Sequence, residues 1–185
     1  MYGEDLTLQL LTWVRGHYFG KYRGTVSDNA DPTNRGRLKV KVPSVLGTVE
    51  SWAMPCVPYA GKSVGFYSLP EPGTGIWVEF EAGDPSYPIW SGCFWADNEL
   101  PDPGGAPIKI WKTEKLTVRI DDDNDELKLE TTSGSKVTLA TDITSESGGA
   151  THTVGSSTVV SEVSAGKLEV TSQAVIANNG AWEVK

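Results

Sequence analysis

The sequence predicts an all-β protein with two unlike parts: a small closed barrel, then a narrow sheet that one chain cannot bury alone. Three observations point there. Pro and Gly together supply 31 of 185 residues, which leaves little room for long helices. Apolar and polar residues alternate in short runs along much of the chain, and period two is the mark of a strand with one apolar face. Six of the seven tryptophans lie in the first 111 residues, and after Trp111 the only aromatic is Trp182. Large buried aromatics therefore belong to the first part.

Five strands can be placed in that first part. The first runs over 18–26. The second, 36–42, alternates Leu38, Val40 and Val42 against Arg37, Lys39 and Lys41. The third lies at 52–57. The fourth, 75–81, sets Ile76, Val78 and Phe80 against Trp77, Glu79 and Glu81, and the aromatic-rich fifth spans 88–94. Turn residues bound them: Asp31-Pro32, Pro43-Ser44, Glu71-Pro72-Gly73 and Gly83-Asp84-Pro85. Five short antiparallel strands fit a barrel of the oligonucleotide/oligosaccharide-binding (OB) type.

Beyond the Pro- and Gly-rich stretch 101–107, the chemistry changes. Ser and Thr make up 16 of the 34 residues from Thr131 to Ser164, a composition that also suits disorder. Against disorder stand the alternating runs Leu116-Val118-Ile120, Leu127-Leu129, Val137-Leu139 and Leu168-Val170. Each apolar stripe is only two or three residues wide. Ordering a residue's backbone costs about 1–2 kcal/mol, and so thin a stripe in one chain does not offset it. Identical copies facing one another would, so an oligomer is expected; the number of copies does not follow from this argument.

The net charge of −8 argues against a free nucleic-acid binder, which carries a basic patch or a high pI. The stripe Arg35, Arg37, Lys39, Lys41 is the one basic feature. It reads either as a phosphate-binding strand or as a solvated face paired with acids such as Glu79 and Glu81. Cys56 and Cys93 are too few for a disulfide framework and read as small buried side chains. No transmembrane run or signal peptide is recognisable.

Three ordered segments carry a family resemblance: 18–45 (YFGKYRGTVSDNADPTNRGRLKVKVPSV), 52–61 (WAMPCVPYAG) and 69–95 (LPEPGTGIWVEFEAGDPSYPIWSGCFW). Together they resemble the phage baseplate assembly protein V family, which shares its barrel with the valine-glycine-repeat spikes of type VI secretion. The resemblance implies a homotrimer with OB barrels at the base of an intertwined β-helix or β-prism needle. Its implied work is mechanical. The spike docks on a baseplate hub, sits in the virion's tail, and punctures the target envelope when the sheath contracts. The implied organisation is an N-terminal hub-contacting segment over 1–17, the barrel over 18–100, and linker and needle over 101–185. A hub-like domain and a muramidase, present in larger relatives, are not expected. Nor is a His-x-His iron apex, since the needle offers Thr151-His152-Thr153; a separate tip protein near Trp182 is expected instead.

No catalytic, cofactor-binding or metal-binding residue is assigned. Nucleophile-elbow, HExxH and P-loop patterns are missing, and His17 and His152 are 135 positions apart. The acids Asp121, Asp123 and Asp125 begin like a calcium loop, but Glu126 and Thr132 stand at its sixth and twelfth places, so a hairpin turn is the simpler reading. Three function classes remain: a structural spike of a phage tail or a related extracellular or type VI system, a free OB module for nucleic acid or glycan, and an envelope hydrolase.

Overall fold

The computed structural model describes residues 2–102 and 104–184. Pro103, inside the expected linker, lies outside the described residues, as do Met1 and Lys185. The chain divides into two units, Met1–Glu99 and Leu100–Lys185.

The first unit holds the barrel. Its strands are β1 (Tyr22–Asp28), β2 (Leu38–Lys41), β3 (Glu50–Pro55), a small hairpin of β4 (Ala60–Gly61) and β5 (Val64–Gly65), then β6 (Gly75–Phe80) and β7 (Pro88–Cys93). They close in the order β1-β2-β3-β7-β6 and back to β1. All neighbours are antiparallel except β3 with β7. That single parallel pair follows from a Greek-key connection and is how a five-stranded OB barrel closes. The alternation read in β2 and β6 is the alternation of burial: Leu38, Val40, Ile76 and Val78 are all 0% exposed. With Val26, Val42, Ala53, Phe80 and Trp90 they form the core. Gly24 is needed where β1 crosses this core, since a Cβ there would lie 2.9 Å from the Lys41 carbonyl oxygen and 3.1 Å from Val78.

Two helices precede and interrupt the strands. A four-residue turn, α2 (Pro43–Leu46), links β2 to β3. The N-terminal segment, which the strand reading left without structure, is α1 (Tyr2–Gly16). Its apolar residues Leu6, Leu10, Trp13 and Val14 recur at helical spacing and form a stripe. Yet Leu6 is 59% and Trp13 51% exposed, so most of the stripe stays open to solvent among the described residues. The residues after α1 are tied down: the Tyr18 N–H donates to the Gly83 carbonyl at 2.8 Å, and Phe19 lies so close over Gly83 that a Cβ there would be 2.9 Å from its ring.

The second unit is one ten-stranded sheet. Its strands are β8 (Ile108–Lys112), β9 (Leu116–Asp121), β10 (Glu126–Thr131), β11 (Lys136–Leu139), β12 (Ile143–Ser147), β13 (Ala150–Val154), β14 (Thr158–Val163), β15 (Gly166–Thr171), β16 (Val175–Ala177) and β17 (Trp182–Val184). They pair in sequence order, every neighbour antiparallel. The Ser/Thr-rich stretch is therefore stranded. Its β-branched Thr and Val side chains fit a pleated surface, and tight turns join them. Gly148 and Gly149, with φ of +57° and +84°, make the β12–β13 turn, a conformation open to glycine and suited to strand twist.

Candidate interaction surfaces

The main candidate surface is one face of the ten-stranded sheet. Register decides which residues share it. Ile120 faces Leu127, which faces Leu139, and the pairing continues through Ile143, Val154, Val159, Val170 and Val175 to Val184. Nine consecutive strands thus place a branched aliphatic side chain in one row. At about 4.8 Å between strands the row runs for about 40 Å. A second row lies beside it, from Trp111, Val118, Leu129 and Val137 at one end to Leu168, Ala177 and Trp182 at the other. The opposite face carries the ion pairs Arg119–Asp121, Lys128–Glu126, Lys136–Glu146 and Lys167–Glu169 at 2.8–3.1 Å.

Among the described residues, much of the apolar face is exposed. Ile143 is 47%, Val154 38%, Val170 40% and Trp182 58% exposed. Part of it curves into a groove of about 710 Å³ lined by Leu116, Val118, Leu129, Val137 and Ala150. Monomeric proteins rarely expose a continuous apolar surface of this extent. Finishing the burial of a half-exposed Val, Ile or Leu is worth roughly 1 kcal/mol. The nine-residue row alone thus matches the about 4–15 kcal/mol that association costs.

The barrel presents smaller exposed apolar features. The β4–β5 hairpin displays Tyr59, Val64 and Tyr67, the last 78% exposed, and α1 displays its Leu/Trp stripe.

The cationic stripe of β2 is engaged within the barrel. Arg37 does not meet Glu79 or Glu81; it donates to Asp31 through Nε at 3.1 Å and a terminal nitrogen at 2.8 Å, with its guanidinium over Trp52. Lys39 and Lys41 approach Glu50 at 3.7 and 3.3 Å, while Glu79 pairs with Lys21. The expected acids were the wrong ones because β2 has β1 and β3, not β6, as neighbours. Asp31 accepts further bonds from the Thr33 and Arg35 backbone N–H groups and the Thr33 hydroxyl. With its side chain only 3% exposed, it organises the β1–β2 loop. The Arg37 guanidinium, followed by these N–H donors, holds its carboxyl far below the usual carboxylate range. Glu50 is also lowered, first by the Ser27 hydroxyl and then by Lys41.

The remaining candidates fall out as follows. Asp121 closes the β9–β10 turn, accepting from the Asp123 and Asn124 N–H groups, the Asn124 amide and Arg119. It is a turn organiser whose oxygens are already occupied. Cys56 and Cys93 are exposed, not buried as composition suggested, because both sit at the ends of short barrel strands. His17 donates from Nδ1 to the Trp13 carbonyl and stacks on the Trp13 ring, closing the end of α1. His152 lies on the apolar face of the second unit. Among the described residues no group of three His, Cys, Asp or Glu is gathered by one chain.

The barrel is thus an OB domain by strand order and closure, held by its own core, and the sheet is a long ladder with an unpartnered apolar face. Residues 22–95, about two-fifths of the chain, match the family model of the type VI secretion system/phage-baseplate injector OB domain. The match covers the barrel, and likeness to this injector domain supports a structural, baseplate-associated role. No curated protein matches the sequence.

Proposed function

We propose that the protein is the non-enzymatic central spike of a contractile injection machine, a phage tail baseplate in the first instance. Three copies act together, and the trimer docks on a baseplate hub and punctures the target envelope on contraction. The observation that carries this reading is the nine-strand aliphatic row lying in the same chain as an injector OB domain. Three such faces turned toward one axis bury each row against the other two. Each strand pairs with its sequence neighbours inside one chain, so three whole sheets packing face to face as a prism bury the apolar rows without exchanging strands. The ion-paired faces are left to water.

The exposed stripe of α1 and the barrel loops are the proposed hub contacts, and the Trp182 end of the sheet is the proposed seat of a separate tip protein. The envelope membrane is met only transiently, and the role calls for neither nucleic acid nor cofactor. The same design serves an extracellular or type VI apparatus, and the neighbouring genes separate these settings.

The test is the mass of the purified chain by multi-angle light scattering and its migration in unboiled detergent. The expected result is three times 19.9 kDa and a detergent-resistant band. A monomer whose residues beyond 100 are rapidly degraded would overturn the proposal.

A further inference from the structure

The second row of the apolar face is interrupted once. Between Val137 on β11 and Leu168 on β15 it reads Ser145, His152, Ser161, three direct cross-strand partners. The row beside it stays aliphatic at the same three strands, with Ile143, Val154 and Val159. The charged groups of these strands, Glu146 and Glu162, fall on the opposite face. An imidazole and two hydroxyls placed in the middle of an otherwise apolar layer are costly to bury unless something satisfies them.

His152 Nδ1 lies 2.8 Å from Ser161 Oγ. When Nδ1–H donates to that hydroxyl, Nε2 keeps its lone pair, and the ring makes no other hydrogen bond among the described residues. This is the arrangement of a metal-ligating histidine: one nitrogen free to coordinate, the other held by an outer partner that fixes tautomer and ring orientation.

We propose that three His152 rings, one from each copy, form a metal site on the axis of the trimer that takes a borderline divalent cation such as Zn²⁺ or Ni²⁺. Ser161 is the positioning residue. The inference rests on the trimeric reading above, since one chain contributes a single ligand. Imidazole nitrogen suits Zn, Ni, Cu and Fe, and three neutral ligands with a fourth position open for water is a common zinc geometry. Ca²⁺ and Mg²⁺ need oxygen ligands, and this part of the face offers hydroxyls but no carboxylate. The site would lock the register of the three sheets midway along the ladder.

The experiment uses full-length protein made without a histidine tag. Mass is read by light scattering, metal by elemental analysis, and Co²⁺ loading by its visible absorption. The trimer is expected to hold about one metal ion per three chains, bound as it folds. His152→Ala and the closer-sized His152→Gln should both abolish metal and the cobalt band while remaining trimeric. Ser161→Ala should weaken uptake by about 10–100-fold. A trimer free of metal and without a cobalt band, including one that holds only an anion, overturns the site but leaves the spike standing. Uptake unchanged in Ser161→Ala overturns the positioning role. A monomer overturns the trimeric reading and the site together.

Discussion

The two units solve the folding problem in opposite ways. The barrel buries nine apolar side chains of its own, six of the described residues in the chain being large and fully enclosed there. In the ten-stranded sheet the only buried residue among those described is Asp121, a polar turn organiser. Both units pair their strands within one chain, the barrel closing on itself and the sheet ending in two edge strands, β8 and β17. What differs is where the apolar surface goes. A closed barrel turns one face of every strand inward onto itself. An open meander has no inside, and its apolar face must find another molecule. The same period-two alternation thus encodes a self-sufficient domain in one half and half of an interface in the other.

The sharpest way to break this comparison is a charge on the shared face. Val159→Asp puts a carboxylate into the aliphatic row between Val154 and Val170. If three faces meet, an unpaired buried charge costs on the order of 3–5 kcal/mol per chain. Light scattering should then report loss of the trimer while the barrel keeps its far-ultraviolet and tryptophan signals. An unchanged trimer would mean that the face is not buried. The counterpart in the barrel is Leu38→Ala, at a site 0% exposed. It should destabilise the barrel by about 2–5 kcal/mol, seen as a lower midpoint of its own thermal transition, and leave the mass unchanged. Loss of the trimer with this variant would mean that the units are not independent.

How much was legible in the sequence follows the same divide. The barrel strands were readable to within a few residues, because Leu38-Val40-Val42 and Ile76-Val78-Phe80 alternate with charged neighbours and turn residues bracket them. Ion-pair partners were not readable, since pairing Lys39 and Lys41 with Glu50 requires knowing that β3, not β6, lies beside β2. In the second unit the Leu-rich pairs were visible. The strands β12 to β14 were hidden by their Ser and Thr content, although Ile143, Val154 and Val159 held the pattern. The polar break at Ser145, His152 and Ser161 became visible only through register, because the three residues are seven and nine positions apart along the chain. Helix α1 falls in the segment 1–17, expected only as a hub contact; its signal is the helical spacing of Leu6, Leu10, Trp13 and Val14, which strand periodicity does not register.

The smallest expected effect tests whether the barrel stands on its loop chemistry as well as its core. Asp31 gathers the Arg37 guanidinium, the backbone N–H groups of Thr33, Arg35 and Arg37, and the Thr33 hydroxyl, so its carboxylate is favoured in the folded barrel and its pKa is depressed. A group depressed on folding adds stability that is fully present above the unfolded carboxyl value of about 4. That stability drains away as pH falls from there toward the folded value. Asp31→Asn removes the ionised form at every pH. The variant's barrel should therefore melt lower than the parent at pH 7, and the gap should narrow as the buffer is taken below about pH 4. A constant gap across that range would show that Asp31 contributes through its hydrogen bonds alone and that its charge is immaterial. The sheet unit serves as the internal control: its trimer mass should be the same in parent and variant at pH 7, because the β1–β2 loop belongs to the barrel's own closure.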